Sequence, residues 1–174
     1  MNFPNLLTVI RVLLTPLGAY ALFKNGGSDS SWQIIAWFTF FVIGLTDFFD
    51  GRIARARNQI TEFGKLLDPI ADKLAIGTAL VSLSLLGKLP WWATIIILVR
   101  EVAVTVLRLA VIKDGVISAS KGGKYKAMMQ GFGAGWYILP LPHWLNIPRD
   151  LFMSVAIVLT VTTGYDYFKK VLKK

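Results

Sequence analysis

Six long apolar runs dominate the sequence, at about 5–23, 32–51, 66–87, 90–112, 125–141 and 149–168. A bilayer core of roughly 30 Å takes about 20 apolar residues of helix to cross, and each run is near that length. The breaks between them carry turn chemistry: Asn25-Gly26-Gly27-Ser28, Gly87-Lys88-Leu89-Pro90, Lys113-Asp114-Gly115 and Pro140-Leu141-Pro142. No internal repeat, low-complexity tract or linker is present, and no stretch remains for a soluble domain. The sequence predicts an all-α polytopic membrane protein with six transmembrane helices, a single domain over 1–174.

Composition narrows the chemistry. The chain is 55% hydrophobic, with a mean hydropathy of +0.57, too apolar for an ordinary soluble domain. It has no cysteine, which excludes disulfides, thiolate metal sites, cysteine nucleophiles and palmitoylation. A net charge of +9 would suggest nucleic acid in a soluble protein. In this chain it reads instead as basic loops held beside anionic lipid, with no nucleic-acid partner. Met1-Asn2-Phe3-Pro4 lacks a basic n-region and Arg11 interrupts the first apolar run, so the chain is expected to insert intact.

The basic residues also set an orientation. One side collects Arg52, Arg55, Arg57 and Lys65, then Lys113, Lys121, Lys124 and Lys126, then Lys169, Lys170, Lys173 and Lys174. The other side has Lys24, Lys88 and Arg149. Positive charge is retained in the cytoplasm, which places both termini and the loops after spans two and four there.

Between Asp47 and Asp72 stand five of the ten acidic residues, and the four aspartates among them come as two pairs. Asp47 and Asp50 are spaced i, i+3, and Asp68 and Asp72 i, i+4, so each pair shares one face of a helix. Gly51, Ala54 and Gly64 are small where a ligand needs close approach. Ion pairing with Arg52, Arg55, Arg57 and Lys73 would neutralise the acids, but it demands neither the glycines nor the spacing. Hard divalent cations supply a better reason, because Mg2+ prefers carboxylate oxygens shared with substrate phosphates. Two cations bridged by carboxylates form a known clamp for displacement at phosphorus.

The pattern D-x2-D-G-x2-A-R-x8-G-x3-D-x3-D, met at Asp47, Asp50, Gly51, Ala54, Arg55, Gly64, Asp68 and Asp72, resembles the signature of the CDP-alcohol phosphatidyltransferase family. The resemblance implies the CDP-alcohol phosphotransferase fold and transfer of a phosphatidyl group from CDP-diacylglycerol to an alcohol, with release of CMP. It also implies two Mg2+ (Mn2+ as an alternative) on the four aspartates, Asp72 as general base, and nucleotide contacts from Gly51, Ala54, Arg55, Thr61 and Gly64. Asn5, Thr8 and Arg11 fall along one face of the first helix. From spacing alone Asn5 is equally a cap or interfacial residue, but the N-x2-T-x2-R element resembles part of the family's nucleotide pocket. Asn5 and Thr8 therefore join the CDP-diacylglycerol contacts.

Span four carries Arg100-Glu101 and then Arg108, followed by Gly123-Lys124-Tyr125-Lys126. This R-E-x6-R and G-K-x-K block resembles the phosphatidylglycerophosphate synthase branch, although Ala127 stands where that branch has threonine. The branch implies sn-glycerol 3-phosphate as acceptor. Arg108, Lys124 and Lys126 are the candidates for its phosphate, while Arg100 and Glu101 read as a mutually neutralising pair. Inositol phosphate and phosphatidylglycerol are the alternative acceptors. A small divalent-cation transporter is a remote alternative, because transporter sites lie near the midplane between repeats, whereas these acids gather at one interface. Relatives imply a homodimer among membrane lipids, in a bacterial plasma membrane with the active site facing the cytoplasm.

The remaining conspicuous residues read as structural. Trp32, Trp91, Trp92 and Trp144 suit an interfacial belt on the outer side, and Pro16 is expected to kink the first span. His143, the one histidine, falls among outer-loop prolines, far from the acids. Met128 and Met129 read as packing, and Gly131, Gly133 and Gly135 as small residues for close helix approach.

Overall fold

Six helices follow one another along the chain: α1 (Phe3–Phe23), α2 (Ser30–Ala56), α3 (Glu62–Leu85), α4 (Trp91–Ala110), α5 (Lys121–Ile138) and α6 (Asn146–Leu172). The structure, a computed structural model, describes residues 3–56, 62–111 and 121–172, with side chains except at 3–5, 47–56, 62–69, 109, 121, 124 and 172. No strand occurs among the described residues.

The turns end the helices where the sequence placed breakers. After α1, Asn25, Gly26 and Gly27 take left-handed backbone angles. Asp29 then caps α2, its Oδ1 accepting from the N–H of Ser31 at 2.9 Å and of Trp32 at 3.3 Å. The Asn25 side chain, the largest influence, and those backbone donors hold the exposed Asp29 carboxyl below its usual range. Gly87, at φ 68°, closes α3. The N–H of Lys88 reaches back to the carbonyl of Leu83 at 2.9 Å and that of Gly87 to Ser84 at 3.1 Å. That pairing is a Schellman cap, with buried Leu89 as its apolar partner.

These short connections reverse the chain, and one cluster of buried apolar residues forms at their end of the bundle. The core joins Ala21 and Leu22 from the end of α1 and Ala36 from the start of α2. Leu80 and Leu83 from the end of α3, and Ala93 and Ile97 from the start of α4, complete that half. Tyr137 and Ile138 end α5 against Met153 and Ala156 near the start of α6. Trp91, Trp92 and Trp144 are exposed around this same end, and Trp32 is partly buried. His143 lies there too, in the turn before α6. The opposite half, where α2 and α3 carry the acid pairs, is the more polar.

Several expectations change in detail. α2 continues past Gly51 to Ala56, so Asp47 and Asp50 lie within a helix and not at its close. α5 begins at Lys121, not near 125, so Lys121 and Lys124 are helical residues and not part of the connection before it. Only two segments among the described residues, Leu6–Gly27 and His143–Val171, are long and apolar enough to cross a membrane by composition, and α2 carries a shorter apolar stretch at Ser30–Thr46. Charges within α3, α4 and α5 break the apolar windows of the others.

Some of those charges tie the polar half together. Arg100 on α4 donates from Nε to the Thr160 carbonyl at 3.1 Å and from Nη2 to Thr163 Oγ1 at 3.0 Å, both on α6. Gly164 gives it room: a Cβ there would stand 3.1 Å from Arg100 Cγ and 3.2 Å from Nε. Gly164→Val should therefore displace Arg100 and cost about 1–3 kcal/mol of stability, read as a lower unfolding temperature in detergent. Gly131→Ala, whose Cβ would meet nothing within 4 Å, should show no such loss. Equal midpoints for the two variants would discount the α4–α6 lock.

Candidate active site

A cavity of about 460 Å³ opens between α1, α2, α3 and α5, with Glu101 of α4 in its wall. Toward the core end the wall is apolar, built from Trp37, Phe40, Ala79 and Ile138. Toward the other end it becomes charged, with Arg11, Asp72, Lys73, Glu101 and Lys126. A molecule with a polar head and an apolar body would match that gradient.

Each charged group has a local reason for its position. Thr8, Arg11 and Thr15 recur along one face of α1 and are all buried, Arg11 at 1% exposure. This is the helical alignment expected of the N-terminal element. Asp72 is exposed and Lys73 partly buried on α3. Lys126, 4% exposed, forms an ion pair with Glu101. Arg100 approaches the same carboxylate oxygen at 3.2 Å. So the Arg100–Glu101 pair exists, with Lys126 as a third member from α5. A buried ammonium needs such a partner, because leaving either charge unpaired inside the bundle is costly.

The cluster is tied on outward. Gln130, another lining residue, donates to Thr160 Oγ1 at 2.8 Å, and the same threonine's carbonyl receives Arg100. Lys73 is hydrogen-bonded to Thr105 of α4. One polar network thus joins α4, α5 and α6 behind the charged end of the cavity, and a second contact ties α3 to α4.

Each acid pair shares a helical face. Asp47 and Asp50 lie on one face of α2 and Asp68 and Asp72 on one face of α3, and α2 and α3 pack together. Four carboxylates on two adjoining helices are a hard-oxygen donor set suited to Mg2+, and Asp72 opens into the cavity. Among the described residues no three His, Asp or Glu side chains cluster. The side chains of Asp47, Asp50 and Asp68 lie outside the described residues.

The other expected contacts divide in the same way. Thr8 is placed, buried beside the cavity residue Arg11 on α1. Thr61 lies outside the described residues, as do the side chains of Asn5, Gly51, Ala54, Arg55, Gly64 and Lys124. Arg108 is exposed, its guanidinium carbon 5.8 Å from the Tyr167 ring centroid, and is not among the cavity's lining groups. Lys73, Thr105 and Gln130 had no assigned role in the sequence. The signal for Lys73 was its place directly after Asp72.

The model of the CDP-alcohol phosphatidyltransferase family matches residues 1–162. The chain belongs to that family. This phosphatidyltransferase is 49% identical over 172 residues to a Mycobacterium tuberculosis protein named probable phosphatidylglycerophosphate synthase, covering 99% of this chain and 82% of that one. It is 37% identical over 182 residues to the Bacillus subtilis CDP-diacylglycerol–glycerol-3-phosphate 3-phosphatidyltransferase, covering 97% and 94% of the two chains. Its fold is that of the Mycobacterium tuberculosis phosphatidylinositol phosphate synthase, crystallised with CDP-DAG bound. The two superpose with a TM-score of 0.67 over 97% of this chain and 85% of the other, at 23% identity.

Proposed function

We propose that this phosphatidyltransferase moves the phosphatidyl group of CDP-diacylglycerol to sn-glycerol 3-phosphate, giving phosphatidylglycerophosphate and CMP. The observation that carries the reading is the meeting of Asp72 and Lys126 on one cavity whose far wall is apolar. The names of near-full-length relatives from Mycobacterium tuberculosis and Bacillus subtilis support the acceptor.

In this reading Asp72 takes the proton of the acceptor hydroxyl. The freed oxygen attacks the lipid-side phosphorus, the bond from that phosphorus to the CMP oxygen breaks, and CMP leaves. Two Mg2+ held by Asp47, Asp50, Asp68 and Asp72 would neutralise the diphosphate and the charge growing on CMP. Asn5, Thr8, Arg55 and Thr61 orient the nucleotide, and Gly51, Ala54 and Gly64 let it lie close to the helices. Arg108, Lys124 and Lys126 supply positive charge for the acceptor phosphate. The apolar wall around Trp37 and Phe40 accommodates acyl carbon. All six helices cross the membrane, the charged end faces the cytoplasm of a bacterial cell, and the protein works as a homodimer among lipids.

The test supplies purified protein with Mg2+, CDP-diacylglycerol and, in separate reactions, glycerol 3-phosphate, inositol phosphate, phosphatidylglycerol or glycerol. Phosphatidylglycerophosphate and CMP should form in equal amounts from the first. Preferential use of another acceptor, or efficient use of unphosphorylated glycerol, would overturn the assignment.

A further inference from the structure

Lys73 lies at the charged end of the cavity, and neither the signature nor the acceptor candidates give it work. It follows Asp72 directly in α3 and lines the same cavity. Among the described residues its ammonium has a single hydrogen-bond partner, the hydroxyl of Thr105 on α4. Thr105 donates its own proton to the Glu101 carbonyl at 2.7 Å. Its oxygen is therefore turned to accept, and it anchors the lysine from behind. An ammonium has three N–H donors, so two remain for a ligand.

We infer that Lys73, steadied by Thr105, is a binding residue for the acceptor's phosphate, and that Thr105 is its positioning residue. This rests on glycerol 3-phosphate being the acceptor. The charges facing Lys73 are Asp72 on its own helix and Glu101, Arg100 and Arg108 on α4, with Lys126 across the cavity on α5. Glu101 acts on Lys73 as well as on Lys126 and Arg100, so three cations share that one carboxylate and positive charge is left over. Asp72, as base, holds the acceptor hydroxyl, and a three-carbon acceptor bound there carries its phosphate only a short way off. The residue adjacent to the base is well placed to meet it, with Lys126 on the opposite wall. Lysine is suited to the task as a compact point charge on a flexible stem.

The experiment uses the full-length protein in nanodiscs and measures KM for both substrates. Lys73→Met should raise the KM for glycerol 3-phosphate by about tenfold or more and leave that for CDP-diacylglycerol within about twofold. Thr105→Val, which keeps the shape and removes the acceptor oxygen, should raise the same KM several-fold, and Thr105→Ser should restore it. An unchanged KM in Thr105→Val, or parallel weakening of both substrates in Lys73→Met, would overturn the inference while leaving the proposed reaction intact. Wild-type protein that makes no product from glycerol 3-phosphate would instead remove the reaction, and this inference with it.

Discussion

Asp47→Asn and Asp68→Asn should each abolish phosphatidyl transfer, and EDTA should do the same to the wild type. Two divalent cations bring about four positive charges, and a site among apolar helices must balance them with fixed carboxylates. Asp47 and Asp50 lie on one face of α2, and Asp68 and Asp72 on one face of α3. The nearest described cations, Lys73 and Lys126, interact with Asp72 and cannot replace a missing acid. Asparagine keeps the shape but removes the charge, so the loss should fall on metal affinity and not on folding. A second readout separates these. Saturating Mg2+ should raise the unfolding temperature of the wild type, because a ligand at about 100 times its Kd adds about 2.7 kcal/mol, and the variants should show little rise. Full turnover by rigorously metal-free protein would end the two-cation reading.

How far this site was legible in sequence follows from the distance over which each contact acts. Helix positions came through well, because Gly87 and Asp29 end or cap helices through bonds to residues no more than five away. The start of α5 did not. Lys124 and Lys126 read as acceptor-phosphate candidates, yet Lys126 is buried because Glu101, on another helix, receives it. No local rule announces a partner 25 residues distant. Arg100 and Glu101 were legible as a pair because they are adjacent, while the ties from Arg100 to Thr160 and Thr163 span helices and were not. The helical faces of the acid pairs needed no distant partner to be read. Their spacing is itself the geometry once each segment is helical, and the family match over residues 1–162 agrees with it. The same charges that make the site explain why composition alone marks only two segments as spans.

Asp72→Asn should lose turnover far more than it loses CDP-diacylglycerol affinity. General-base catalysis contributes about 10²–10⁴-fold, so kcat should fall by that order, with the KM for CDP-diacylglycerol changing by less than about tenfold. Asp72 is exposed on α3 where the cavity opens, so the asparagine enters no packed core and the unfolding temperature should hold. Asp72 is also a candidate cation ligand, and the two roles separate on titrating Mg2+. A variant that has lost only a ligand should recover turnover as Mg2+ rises, because weakened binding yields to mass action. A variant that has lost the base should stay slow at every Mg2+ concentration, because asparagine cannot take the proton from the acceptor hydroxyl. Near-normal kcat in Asp72→Asn, or full recovery at high Mg2+, would move the base to another residue. Glu101 is a poor substitute, since its carboxylate already binds Lys126 and Arg100.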